Sequence, residues 1–159
     1  MENEVNIQKT KNRMAINSSL LAISFSIFIF IIAFNGSLMK KNIFVPIELT
    51  AAIPLFLSAN FANSKLTYSR KKKMWENYCL ITFVIAYSFL INIVGILLSL
   101  FVSVDIGMLF FFIVILTPLI YSTLAVIENP KILKTRIIED LFFIILVIIG
   151  GVLPSLMVY

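Results

Sequence analysis

The stretch that decides the fold runs from Asn77 to Ile127 and reads NYCLITFVIAYSFLINIVGILLSLFVSVDIGMLFFFIVILTPLIYSTLAVI, with Asp105 as its only charged residue. About 20 apolar residues are enough to cross the roughly 30 Å hydrocarbon core of a bilayer as an α-helix. This stretch is more than twice that long. Asp105 and Gly107 are residue types that favour turns, and they divide it into spans at about 78–102 and 108–127. The sequence therefore predicts a tight hairpin of two membrane helices.

The same length criterion finds three further spans, at about 15–34, 43–62 and 141–159. The first is longer than the apolar region of a signal peptide and does not end in small residues of the A-x-A kind, so we interpret it as an uncleaved anchor. The second is the least apolar span, because it contains Pro46, Glu48, Pro54 and Asn60. The expected fold class is all-α: a polytopic transmembrane bundle of five spans, with four as the fallback, forming a single membrane domain over residues 1–159.

The overall composition supports the bilayer as the solvent of this chain. Hydrophobic residues make up 60% of the sequence and charged residues 13%, whereas about a quarter of a soluble globular domain is charged. A protein this small has much surface per unit of volume, and so few charges cannot cover it. A water-soluble fold is therefore excluded.

The positive charges test the predicted spans independently. With five spans, eleven of the 13 Lys and Arg residues fall on the side of the N-terminus, and only Lys40 and Lys41 fall on the other side. Lys and Arg accumulate in the cytoplasmic loops of membrane proteins. We therefore expect a multi-pass protein of the cell membrane, with a cytoplasmic N-terminus and an extracytoplasmic C-terminus.

A basic block precedes the third span. It consists of Arg70, Lys71, Lys72 and Lys73. Its simplest role is to determine topology, and a compatible role is contact with anionic lipid headgroups, which attract basic residues near the membrane surface. Nucleic acid is not an expected partner, because insertion into a membrane already accounts for the net charge of +5.

Small and polar residues recur along one face of the third span, at steps of four, three, four and four. They are Ser88, Asn92, Gly95, Ser99 and Ser103. Small residues at such spacing let helices approach closely, and an Asn side chain can form hydrogen bonds across the contact. The same residue types suit a contact with neighbouring helices, a self-association face or a narrow aqueous path, and the sequence leaves these alternatives open.

Helix-disrupting residues and carboxylates give further clues. The expected helix kinks lie at Pro54, Pro118, Gly150, Gly151 and Pro154. No carboxylate is expected deep in a span. Pro46 suits the first helical position, which puts Glu48, two residues later, in the first turn, where the helix dipole stabilises a carboxylate. Glu139 and Asp140 are interpreted in the same way at the start of the fifth span, and Asp105 is placed in the turn after the third.

The residue inventory argues against catalysis and against bound cofactors. The chain has no His and a single Cys, Cys79, so no metal site and no cofactor is expected. No combination of nucleophile, base and oxyanion stabiliser is present, so the chain is expected not to be an enzyme.

Two function hypotheses remain. The first is a small non-catalytic membrane protein that acts through helix–helix association, as an accessory subunit or a homo-oligomer, with an immunity-type role as one form of it. The alternative is a channel or carrier for an ion or small solute, in which Ser88, Asn92 and Ser99 line the path. In both cases the expected partners are the lipid bilayer and other membrane helices.

Overall fold

A computed structural model describes residues 2–35, 42–68 and 72–157, and every regular element in these ranges is helical. The five main helices are α1 Glu2–Asn35, α2 Phe44–Tyr68, α3 Lys72–Phe101, α4 Val104–Glu128 and α5 Leu133–Val147. A 3₁₀ turn at Pro130–Ile132 leads into α5, which continues through a π-helical segment at Ile148–Val152 into a short helix, α6, at Leu153–Leu156. Five stretches of the described residues are long and apolar enough to cross a membrane, the fifth being Pro130–Leu156. The predicted all-helical class is confirmed, and the number of helices long and apolar enough to span a membrane agrees with the five predicted spans.

The turn between the third and fourth predicted spans lies closer to the N-terminus than expected. α3 ends at Phe101 and α4 already begins at Val104, so the prediction that Asp105 and Gly107 form the turn is wrong. The reason is the cap, because the Ser103 hydroxyl accepts a hydrogen bond from the Ile106 backbone N–H at 3.3 Å. Asp105 then lies in the first turn of α4, where the helix dipole stabilises a carboxylate. Ser103 is consequently part of the connection and not of α3.

The fifth helix begins earlier than predicted. The Asn129 side chain accepts from the Lys131 N–H at 3.3 Å, and Pro130 occupies the first position of the 3₁₀ turn. Both residues favour a helix start at this point. Glu139 and Asp140 therefore lie beyond the first turn of α5, and the interpretation of these two carboxylates as first-turn residues is wrong.

α3 is the central helix of the bundle. In the most apolar segment of α3, 44% of the residues are buried, whereas the corresponding shares are 11% for α4 and 17% for α1. Three buried clusters follow one another between α2 and α3, with α1 packed beside them. Their members are Ile31, Val45, Leu49, Ile93 and Ile96; then Ala52, Phe56, Ala86 and Leu90; then Ala59, Ala62 and Cys79. The small residues in the last two clusters let the α2 and α3 backbones approach closely.

Polar contacts connect the helices at one end of the bundle, where α2 ends and α3 begins; we call it the basic end. Arg13 of α1 pairs with Glu76 of α3 at 3.6 Å. Between α4 and α5, the Ser122 hydroxyl donates to Asp140 at 2.9 Å. The Arg136 guanidinium lies 5.6 Å from the centre of the Tyr121 ring, at a distance typical of a cation–π contact. The opposite end, where α3 ends and α4 begins, carries Asp105.

Candidate functional site

A carboxyl group lies inside the bundle, contrary to the prediction from the sequence. α2 begins at Phe44 and not at Pro46, so Glu48 is its fifth residue, and its side chain is directed toward α3. Glu48 is only 3% exposed. The interpretation of Glu48 as a first-turn capping residue is therefore wrong. Asn42 performs that task, because its side chain accepts from the Phe44 N–H at 3.0 Å.

Asn92 of α3 joins Glu48 to the fifth apolar stretch. Its side-chain amide nitrogen donates to Glu48 Oε1 at 3.0 Å and to the Leu146 carbonyl oxygen at 3.2 Å. Asn92 is fully buried, so both bonds form away from solvent. The side chain thus bridges α2 and α5 and uses both of its N–H groups to do so.

Two glycines in the π-helical segment make room for this bridge. A Cβ atom on Gly150 would overlap Glu48 Oε1 and the Asn92 amide nitrogen, and one on Gly151 would overlap the Phe111 ring. Single π turns inside α-helices are frequent at functional sites, because they change the hydrogen-bonding pattern of the backbone. Glu48, Asn92, the Leu146 carbonyl, Gly150 and Gly151 therefore form one unit, which we call the Glu48 cluster.

Two oxygen atoms of the Glu48 cluster are buried and have no hydrogen-bond partner in the described part of the chain: Glu48 Oε2 and Asn92 Oδ1. Among the described residues, neither of the two salt bridges, Arg13–Glu76 and Arg136–Glu139, includes Glu48. Burying a carboxyl group without a partner charge is costly, and ionisable residues inside apolar bundles usually pair or mark an ion or proton site. The cluster therefore presents one potential negative charge and two oxygen atoms that accept no hydrogen bond.

The Glu48 cluster lies inside the bundle, nearer the end opposite the basic end. Four residues separate Glu48 from the start of α2, which corresponds to about 6 Å along the axis, and nine residues separate Asn92 from the end of α3, or about 14 Å. Buried Val45, Leu49 and Ala52 surround Glu48 along α2. Glu48 thus lies on the buried, apolar face of α2.

The structure brings most of the predicted polar stripe onto the inward face of α3. Ser88, Asn92, Gly95 and Ser99 are all buried, whereas Ser103 is the cap of α4. A Cβ atom on Gly95 would overlap the Phe111 ring, and one on Gly107 would overlap the Ser99 hydroxyl. The stripe is therefore in contact with α4 and the π-helical segment of the same chain, and it is not free to bind another molecule.

The other predicted positions are distributed along the bundle. Pro54 lies inside α2 and Pro118 inside α4, and each helix continues past its proline as one element. Gly150 and Gly151 form the predicted break in the fifth apolar stretch, and Pro154 opens α6. In the basic block, Lys72 and Lys73 are exposed at the start of α3, whereas Arg70 and Lys71 lie outside the described residues, as do Lys40 and Lys41.

The sequence did contain a signal for the missed site. An Asn immediately before an apolar run, such as Asn42, is a strong N-cap candidate, and it moves the helix start far enough to place Glu48 beyond the first turn. Two polar residues, Glu48 and Asn92, and one helix-disrupting glycine pair then lie on three different apolar helices. Such features tend to meet, because each requires a partner inside a bundle.

The function has to be argued from the chemistry of these residues. The two free oxygens of the Glu48 cluster and the π-helical break are the most distinctive features of the described residues. Comparison of the chain with protein-family models, with curated proteins and with solved structures found no match.

Proposed function

We propose that this chain is an integral protein of the cell membrane with five spans, a cytoplasmic N-terminus and an extracytoplasmic C-terminus. Five helical stretches of suitable length and hydropathy support the insertion. The helix ends support the orientation, because Lys65, Lys72 and Lys134 lie at the basic end and Asp105 at the other. A reporter fused to the C-terminus is expected to be accessible only from outside the cell. A cytoplasmic reporter signal would contradict the orientation.

Within that membrane, we propose that the chain is a channel or carrier that binds a small monovalent cation, a proton or an alkali ion, at the Glu48 cluster. The single observation that supports this proposal is the buried Glu48 carboxyl group, with a free oxygen and no partner charge, beside a π-helical break. In transporters, interrupted helices supply backbone carbonyls to cation sites near the middle of the membrane. Here the Leu146 carbonyl lies just before the π-helical segment and accepts a hydrogen bond from Asn92, which links that segment to Glu48.

A purely structural role accounts less well for the same cluster. The buried clusters between α2 and α3 consist mainly of alanines and apolar side chains, and the hydrogen bond between Ser58 and Tyr78, at 2.7 Å, involves no charged group. A carboxyl group that only held two helices together would be expected to use both of its oxygens, whereas Glu48 Oε2 has no partner. This difference favours an ion site over a simple helix contact.

Cation flux into proteoliposomes tests the proposal. Purified protein is reconstituted, and uptake of protons, Na⁺ and K⁺ is followed with ion-sensitive dyes under an imposed gradient. Glu48→Gln keeps the size of the side chain and an acceptor for Asn92 but removes the charge, so we expect it to abolish flux. The matched control Glu128→Gln, at the exposed end of α4, should behave as the wild type. Wild-type protein that carries none of the three cations would reject the proposal.

A second candidate function is association with other membrane helices, as a homo-oligomer or an accessory subunit. The observation that favours it lies on α1, where Ala22 and Ser26 are exposed four residues apart and continue the spacing of Ser18, which accepts a hydrogen bond from Asn60 of α2 at 3.3 Å. Small residues at this spacing permit close helix contacts between chains. This face replaces the α3 stripe, whose residues are used inside the chain.

Enlargement of the α1 face tests the association. Ala22→Leu is expected to decrease the size of the complex in mild detergent, measured by light scattering after size exclusion, because the leucine side chain would hold the two helices apart. Thr123→Leu places the same side chain on an exposed position of α4 and serves as the control. A monomeric wild type, or an unchanged complex in the Ala22→Leu variant, would exclude association through this face.

A further inference from the structure

A cavity with several polar side chains in a mainly apolar lining lies at the basic end, separate from the Glu48 cluster. It has a volume of about 450 Å³ and is bounded by α1, α2, α3 and α5. Its polar lining includes Asn17, Asn63, Arg13, Glu76 and Glu139. Sites for small organic molecules usually measure about 300 to 1,000 Å³, so the cavity has the size of a ligand site.

Two asparagines in the wall of this cavity are buried but incompletely hydrogen-bonded. Asn63 is 0% exposed, and among the described residues the weakly bonding Cys79 thiol is all that its amide group reaches; Asn17 is 3% exposed, and its amide nitrogen has no partner there. Nearly all buried polar side-chain atoms in folded proteins have partners, because an unmade hydrogen bond costs the full desolvation of the group. Two incompletely bonded amides beside one cavity therefore indicate a missing ligand with both donor and acceptor groups.

The charges at this cavity restrict the ligand further. Arg13 and Glu76 form an ion pair at 3.6 Å, with 36% and 52% of their side chains exposed. This pair supplies one positive and one negative group to the same cavity. A ligand that carries both charges can therefore pair its negative group with Arg13 and its positive group with Glu76. An amide group of the ligand complements the Asn63 amide, because the N–H of each can donate to the carbonyl oxygen of the other.

We propose that this cavity binds a small zwitterion that carries an uncharged amide, the chemistry of a free amino acid such as glutamine or of a short dipeptide. The proposal does not depend on transport. If the carrier proposal is also correct, this ligand is the solute that moves together with the cation.

Binding to the purified protein in detergent tests the proposal, with L-glutamine and glycylglycine as probes. L-Norleucine, a zwitterion of similar length without an amide, is the matched ligand control. Isothermal titration is expected to show saturable binding of at least one amide probe, and at least about tenfold weaker binding of norleucine, the loss expected for amide hydrogen bonds left unmade. Absence of binding by both amide probes, or equal binding of norleucine, would overturn the proposal.

Two variants locate the binding site. Asn63→Leu removes the incompletely bonded amide, so it is expected to raise the thermal midpoint of the protein while it abolishes binding of the amide probes. Asn60→Leu, one turn earlier on α2 and not part of the cavity wall, should bind as the wild type. Unchanged binding in a folded Asn63→Leu variant would overturn the proposal, as would a phospholipid that occupies the cavity in native mass spectrometry.

The same measurements separate this proposal from the carrier proposal. Glu48→Gln lies outside the cavity and is expected to keep its affinity for the amide probes while it loses cation flux. Glutamine binding by a wild type without any cation flux would reject the carrier and leave the amide site intact. Cation flux without binding of either amide probe would reject the amide site alone.

Discussion

Substitution of Asn92 by Leu, alone and together with Glu48→Met, measures how strongly the Glu48 cluster holds the bundle together. Asn92→Leu keeps a side chain of similar size but removes the donors to Glu48 and to the Leu146 carbonyl. Glu48→Met removes the carboxyl group and leaves Asn92 bonded to Leu146. The double variant replaces the polar bridge between α2 and α3 with apolar contacts.

The magnitudes follow from the two hydrogen bonds that Asn92 donates. A bond to a charged group contributes about 1.5–3 kcal/mol and a neutral bond about 1 kcal/mol. Hydrogen bonds between helices in membrane bundles have been found weaker, about 0.6 kcal/mol on average. We therefore expect Asn92→Leu to lower the free energy of unfolding by about 2–4 kcal/mol, because Glu48 then stays buried without any partner.

The double variant is expected to lose less unfolding free energy than the two single variants lose in sum. Once Glu48 is replaced, Asn92→Leu no longer leaves a buried carboxyl group unpaired, so the coupling free energy should reach about 1.5 kcal/mol or more. Unfolding by SDS in mixed micelles, followed by circular dichroism, provides the four free energies of the cycle. Ile149→Ala, next to Gly150 but exposed, is the control for general damage to the fifth apolar stretch.

Two results would refute the reasoning. Additivity of the two substitutions within about 0.5 kcal/mol would mean that Glu48 and Asn92 do not interact. An Asn92→Leu variant more stable than the wild type would mean that Glu48 finds another partner, or that α2 moves to expose it. In either case the cation site proposed at the Glu48 cluster would lose its structural basis.

Three further predictions concern other contacts. Gly150→Ala is expected to lower the thermal midpoint and impair cation flux, since its methyl group would overlap Glu48 and Asn92; a midpoint equal to that of the wild type would contradict the described packing. Gly95→Ala should be destabilising, and Phe111→Leu should partly rescue it in chemical unfolding, because the added methyl group overlaps the Phe111 ring. Replacement of Lys72 and Lys73 by Gln should weaken the binding of anionic lipids to the protein, measured by native mass spectrometry, by about 1 kcal/mol per residue. Zwitterionic lipids should bind equally to both forms.

The fold class was predictable because the responsible features are local. Run length and hydropathy act on each helix separately, and they indicated five helices, including the uncertain one from Phe44 to Tyr68. Helix boundaries were less predictable, since single side chains determine them. Asn42, Ser103 and Asn129 each accept a hydrogen bond from a backbone N–H two or three residues later, and these caps moved three helix starts toward the N-terminus.

The polar stripe on α3 was predicted correctly as a face, but its partners were not. Periodicity shows which side of a helix is unlike the others, and Ser88, Asn92, Gly95 and Ser99 do share one buried side. Periodicity does not show what that side contacts. Only the folded chain places Phe111 against Gly95 and Gly107 against Ser99, so a face suited to association between chains is used within one chain.

By itself, the sequence determined that this protein is a bundle of apolar helices with most of its positive charges toward one end, because hydropathy and charge belong to each segment regardless of its neighbours. The tertiary structure alone decided that Glu48 is buried and bonded to Asn92, 44 residues away, with Leu146 beyond it. The physical reason is that a polar atom inside a bundle is stabilised by whichever partner the packing of other helices brings to it. That partner is a property of the assembled helices and not of any one of them.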